Sequence, residues 1–215
     1  AAQLAFAGTR GPRLVPGDYT VRLTKAGKVY ETKLTVGLDR RAKFTAEDRK
    51  AQYDAAMKVH ALFNDESGLM DRILFLRRDV ANAASALPEN DALKKNIKGF
   101  DDKIENVRKK IVATKEGGAI TGEERLREHT DQLYGALLSF EGKPGDYQIA
   151  YIAALRRELE DVTKEFDQLL TKDLSGLNDS LKSKGKPAIS PPPAKVAASD
   201  AQPGSGITEV PTLLR

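Results

Sequence analysis

Two histidines, several pairs of adjacent carboxylates and a few Gly-Lys steps are the side chains here with the reach for chemistry, and there is no cysteine. The missing cysteine removes thiolate nucleophiles, thiolate metal sites and disulfides. A histidine metal site or catalytic dyad needs a partner converging on the same face, which on a helix lies four residues away. His60 is followed at that spacing by Asn64 and His129 by Leu133, so both read as structural. The pairs Glu47-Asp48, Asp101-Asp102, Glu123-Glu124 and Glu160-Asp161 are chain neighbours. On a helix they diverge, whereas glycosidase chemistry needs two carboxyl groups facing across a cleft with one pKa raised by burial. Gly142-Lys143 and Gly185-Lys186 lack the full Gly-x-x-x-x-Gly-Lys-Ser/Thr loop, and Gly8-Thr9-Arg10-Gly11 reads as a turn. No Gly-x-Ser-x-Gly elbow occurs. The expectation is a chain with no catalytic, cofactor-binding or metal-ligating residue, and no cofactor.

The charge balance narrows the partners. Lys and Arg number 35 against 31 Asp and Glu, a mild excess of +4. The basic clusters Arg77-Arg78, Lys94-Lys95, Arg108-Lys109-Lys110 and Arg156-Arg157 are each flanked by acids, the usual outer face of a helical bundle. Aromatic residues do not interleave with them, so a stacking platform for single strands is unsupported and no nucleic-acid partner is expected. No apolar run approaches the roughly 20 residues that span a bilayer.

The elements follow from periodicity. Tyr19, Val21 and Leu23 alternate with polar residues, and so do Tyr30, Leu34 and Val36 after the turn Lys25-Ala26-Gly27-Lys28. That is a β-hairpin. An isolated hairpin is marginal in water, so its apolar face needs another sheet. Nothing downstream reads as a strand, which places the missing sheet before Ala1. Ala1 to Ala7 lack the initiating Met and basic start of a signal peptide, so the chain reads as cut from something longer.

From Thr45 the period lengthens to about 3.5, with Thr45 as N-cap and Glu47 and Asp48 in the first turn. Tyr53, Met57, His60 and Phe63 are assigned one face, and Leu69, Ile73, Leu76, Val80 and Leu87 the stripe of a second helix. After Pro88, with Asn90 or Asp91 as cap, the third helix carries Leu93, Ile97, Phe100, Ile104, Val107 and Ile111. It ends at Lys115-Glu116-Gly117-Gly118, and Thr121 caps a fourth with Leu126, Thr130, Leu133, Leu137 and Phe140. A last long helix carries Tyr151, Leu155, Leu159, Val162, Phe166, Leu169, Leu174, Leu177 and Leu181, with a bend at Gly176. Five amphipathic helices of about 20 to 30 residues, on short turns, imply an up-and-down bundle about 30 to 45 Å long. From Gly185 onward Pro, Ala, Ser and Gly dominate without an aromatic residue, the composition of disordered chain. Val210 to Leu214 is a small apolar patch within it.

Gly11-Pro12-Arg13-Leu14-Val15-Pro16-Gly17-Asp18-Tyr19-Thr20-Val21-Arg22-Leu23 resembles the Gly-Pro-x-x-x-Pro-Gly-x-Tyr-x-Val-x-Leu stretch near the C-terminus of bacterial BNR-repeat, sortilin-like β-propeller proteins. Gln52 to Val59, Arg125 to His129, Asp173 to Asn178 and Lys184 to Ile189 are similar to the helical region that follows in that family. Arg40 stands where the family's Asp-Pro-Arg step has proline. The resemblance spans about residues 8–190. It implies that the hairpin closes an immunoglobulin-like module, that a propeller lies upstream, and that the protein is secreted or sits in the periplasm or cell envelope. Any glycosyl-hydrolase-like site would lie in the propeller.

The sequence is therefore read as mainly α. Residues 1–38 are the last hairpin of an immunoglobulin-like sandwich, 39–186 an up-and-down helical bundle, and 187–215 a disordered Pro-rich tail. The expected role is a non-catalytic accessory or assembly module, with the parent propeller in cis or a second copy as partner. The alternatives are a free-standing helical interaction module and the helical part of a hydrolase at a propeller interface.

Overall fold

The computed structural model describes residues 7, 8, 10–114 and 123–196. Strand β1 (Gly17–Lys25) pairs antiparallel with β2 (Lys28–Val36), with Tyr19 opposite Leu34, Val21 opposite Thr32 and Leu23 opposite Tyr30. Ala26 and Gly27 form the turn with φ of 48° and 75°. Two left-handed residues in succession give the turn whose twist matches that of the strands.

Thr45 starts α1 (Ala46–Ser85) through a capping box: its Oγ1 accepts from the Asp48 amide at 3.1 Å, and its own amide donates to Asp48 Oδ2 at 3.1 Å. The two helices expected between Thr45 and Leu87 are one helix of 40 residues. The polar run Asn64-Asp65-Glu66-Ser67-Gly68 separates the two expected stripes. Only Glu66 of the five faces inward, however, and a single exposed glycine costs a helix about 1 kcal/mol, which packing offsets. The buried face is also rotated from the expected one. Gln52, Ala55, Ala56, Val59, Leu62 and Phe63 point inward, while Met57 is exposed and Tyr53 and His60 are half-buried.

Helix α2 (Ala92–Ile111) begins at Asp91, whose Oδ1 accepts from the Leu93 amide at 2.8 Å, and all six residues of its expected stripe are buried. The expected stop at Lys115 to Gly118 and the cap at Thr121 lie outside the described residues. Helix α3 (Leu126–Ser139) buries Leu126, Thr130, Leu133 and Leu137 as expected, and also Tyr134; Phe140, past its end, is exposed. Helix α4 (Asp146–Gln168) continues through a π turn (Leu169–Asp173) into α5 (Leu174–Ser183). Ile152, not Tyr151, begins its buried stripe.

Cross-links fix the topology. Arg77 on α1 pairs with Asp101 and Glu105 on α2, while Glu66 meets Thr130 and Gln52 meets the Leu137 carbonyl on α3. Residue numbers fall along α1 as they rise through α2 and α3, so these two helices follow one another antiparallel to α1. Asp65–Arg156 and Arg72–Asp167 rise together, which sets α4 parallel to α1. Lys110–Glu165, Lys103–Asp173 and Asp91–Lys184 run in opposite order, so α4 and α5 lie antiparallel to α2. Among the described residues the bundle is thus up-down-up, in three rods: α1, then α2 followed by α3, then α4 continued by α5. At 1.5 Å per residue the 40-residue α1 is about 60 Å long, longer than the expected bundle.

The π turn has a sequence cause. Leu155, Leu159, Val162 and Phe166 keep spacings of four and three, but Leu169 to Leu174 is five. A strict continuation would bring residues 173, 176 and 180 inward; the core instead takes Leu174, Leu177 and Leu181, each one later. The π turn absorbs this extra residue. The irregularity thus lies at Leu169–Asp173 and not at Gly176. Deletion of exposed Thr171 is expected to convert the segment to continuous α-helix, keep the three leucines inward, and cost less than about 1 kcal/mol. Urea unfolding checks this, and a loss comparable to removing a core leucine would contradict it.

Beyond α5 the chain runs without regular structure to Val196. It is nonetheless packed: Ile189, Pro192 and Val196 are buried. Asn178 serves as its backbone partner, with Nδ2 donating to the Ile189 carbonyl at 2.9 Å and Oδ1 accepting from the Ile189 amide at 2.8 Å. The disorder read from composition therefore does not hold for residues 187–196. Residues 197–215, including the patch at Val210 to Leu214, lie outside the described residues.

Candidate interaction surface

Alternation sorts the hairpin side chains into two unlike faces. One carries Arg22–Glu31, Lys33–Thr20 and Thr35–Asp18 as directly opposed polar pairs at 2.7, 2.7 and 2.6 Å. Such pairing satisfies that face in water. The other carries Tyr19, Val21, Leu23, Tyr30, Leu34 and Val36. There Leu23 is 60% exposed, Tyr30 54%, and Val21 and Leu34 46% each. No helix covers this face among the described residues.

The hairpin root is held by the bundle on both sides. Before β1 the entering chain is held by α3: the Ala7 and Gly8 amides donate to Asp131 Oδ1 at 2.8 and 3.0 Å, and Tyr134 O–H donates to the Arg10 carbonyl at 2.8 Å. Arg13 then forms an ion pair with Glu141. After β2, Phe44 meets Phe140 edge-on with ring centroids 5.1 Å apart. Gly142 is needed beside them, because a Cβ there would come within 2.6 Å of the Phe140 ring and 2.8 Å of the Phe44 ring. Next to this collar, α4 has no charged residue between Asp146 and Arg156 and exposes Tyr147, Ile149 and Tyr151.

The chain matches no family model, no curated protein and no solved structure.

The side chains with chemical reach are dispersed. His60 is half-buried on α1, its ring centroid 6.4 Å from that of Tyr134. His129 Nε2 lies 3.4 Å from a Glu124 carboxylate oxygen, and its ring centroid is 6.4 Å from that of Tyr151. Asp48 caps α1 and Asp101 holds Arg77. Among the described residues no group of three or more His, Cys, Asp or Glu lies where it could hold a metal ion. Arg77, Lys94, Lys103, Arg108, Lys110 and Arg156 are all committed to ion pairs, as the interspersed charge implied. Among the described residues no helix is long and apolar enough to cross a membrane.

One functional-looking group escaped the sequence reading. Glu66 is fully buried on α1, its Oε1 2.7 Å from Thr130 Oγ1. Burial pushes its carboxyl up to about 7, against the opposing effects of the Thr130 hydrogen bond and the Arg127 and Arg156 charges. Arg127, nearly buried on α3, has its pKa lowered by burial and stays charged at neutral pH. Glu66 Oε2 and Arg127 Nη2 make no hydrogen bond among the described residues. Read as part of one continuous α1, Glu66 falls three residues after Phe63 and three before Leu69, on the core stripe. That spacing was the available signal.

Proposed function

We propose that this chain is a non-catalytic accessory and assembly module of a secreted BNR-repeat, sortilin-like propeller protein, whose hairpin closes an immunoglobulin-like sandwich. The observation that carries this reading is the bare face of Tyr19, Val21, Leu23, Tyr30, Leu34 and Val36, backed by a self-satisfied polar face. Its size favours a tethered partner. The exposed apolar area is roughly 400 Å², about half of what each side of a stable bimolecular interface contributes. A partner sheet in the same polypeptide escapes the entropic cost of association and is held by a smaller patch.

The test is to express the segment encoded ahead of Ala1 as a separate polypeptide and measure its binding to this chain. Leu23→Asp is expected to weaken binding at least ten-fold while leaving the stability of this chain within about 0.5 kcal/mol, as for other exposed positions. Absence of binding by the unsubstituted chain, or an upstream segment without strands, would sink the proposal.

A second reading rests on the anchoring of the hairpin root by Asp131, Tyr134 and Glu141 on one side and Phe140 on the other. A hairpin held this way also suits a free-standing helical interaction module that offers an arm to a partner's sheet. Binding of Leu23-dependent partners without any upstream sheet would favour it.

A further inference from the structure

Contacts across the α1–α3 seam join end to end with the clamp on the entering chain. Glu66 meets Thr130. Phe63, one turn earlier on α1, packs edge-on against Tyr134 with centroids 5.7 Å apart. Tyr134 donates to the Arg10 carbonyl, and Asp131, next to Thr130, takes the Ala7 and Gly8 amides. Glu66 is the one fully buried carboxyl among the described residues, and it sits one contact from that clamp.

We propose that Glu66 is a proton-operated latch: as the acid it donates to Thr130 and closes the α1–α3 seam, and as the carboxylate it loosens the seam and frees Ala7, Gly8 and Arg10 at the hairpin root. The hydroxyl geometry supports this. Thr130 Oγ1 lies 2.7 Å from Glu66 Oε1 and 2.9 Å from the Leu126 carbonyl, yet it carries a single proton. When the acid supplies the proton of the first contact, Thr130 is free to supply the second, and both bonds are made. When Glu66 is ionised, Thr130 serves only one of the two acceptors and a charge stays buried in the seam.

The charges facing Glu66 are Arg127 and Glu128 from α3 and Arg156 from α4, while Asp71 on its own helix acts on it through Arg127. None forms an ion pair with it, and Arg156 is engaged by Asp65 at 2.5 Å. The two arginines favour the carboxylate, but loss of hydration outweighs them, so both forms are populated around neutrality.

Hydrogen exchange of the full 215-residue chain, corrected for the intrinsic pH dependence of exchange, tests the latch. Opening of the amides of Ala7, Gly8 and Arg10 and of the first two turns of α3 is expected to rise about ten-fold from pH 6 to pH 8, with α5 unaffected. In Glu66→Gln this rise disappears. Glu66→Met gives the same readout should the Gln amide be poorly accommodated. An equal rise in both variants would overturn the proposal, as would a uniform rise in all helices. The His60 ring also borders Tyr134, and a rise that vanishes only in His60→Gln would overturn it too.

Discussion

Replacing Glu66 by Gln is expected to stabilise the protein by about 2 to 3 kcal/mol at pH 8 and to destabilise it slightly, by less than about 1 kcal/mol, near pH 4. In the unfolded chain the carboxyl titrates at its ordinary value of 4.5; in the folded chain burial raises it to about 7. Below pH 4.5 both states hold the proton and there is no penalty. Between 4.5 and 7 the unfolded state releases it first, so stability falls as pH rises. Above 7 the loss is complete, and the raised pKa corresponds to about 3 kcal/mol. Gln removes this cost and introduces a smaller one, an amide that must find partners where Glu66 Oε2 has none among the described residues. Other titrating groups are common to both proteins and cancel in the difference. Paired thermal or urea melts at pH 4, 6 and 8 measure it. The melting temperature of the variant should lie roughly 4 to 12 °C higher at pH 8 and no higher than that of the parent at pH 4. A gap independent of pH would mean that Glu66 is not the titrating group.

The sequence was most legible where one apolar stripe decides which face is buried. On α2 the apolar spacing predicts all six core positions, because one stripe faces the two neighbouring rods and the rest faces water. The hairpin is equally plain, since register follows from alternation and a two-residue turn. On α1 the reading fails twice for one reason. Bulky residues were taken to mark the core, so Tyr53, Met57 and His60 were put inside. The seam with α3 is built instead from Ala55, Ala56 and Gln52, whose side chain caps the Leu137 carbonyl at 2.5 Å. Small side chains let helices approach, and a buried amide satisfies the open end of α3. The same preference for apolar positions left Glu66 without an assignment, although its spacing is that of a core residue. What lies on the bare hairpin face is a different kind of question, because one face of a sheet states that it is apolar and does not state what covers it.

The largest loss of stability is expected at Phe166. This side chain is fully buried where α4 passes into the π turn, and the Arg72 guanidinium carbon lies 5.3 Å from its ring centroid. Phe166→Ala should cost about 3 to 5 kcal/mol, from lost transfer energy and from a cavity that three rods cannot close by a small shift. The rods are pinned on either side of this layer, by Arg72 to Asp167 at 3.2 Å and by Lys110 to Glu165 at 2.5 Å, which limits relaxation. Arg72 would also lose its ring, while its Nε already makes no hydrogen bond among the described residues. The control is Phe166→Leu, which fills most of the volume and should cost about 1 to 2 kcal/mol less than the Ala variant. Urea unfolding of the two variants separates the outcomes. A loss below about 1 kcal/mol for Phe166→Ala would mean that the rods slide to fill the space, and the extra residue in the π turn would then mark a joint in the bundle rather than a fixed seam.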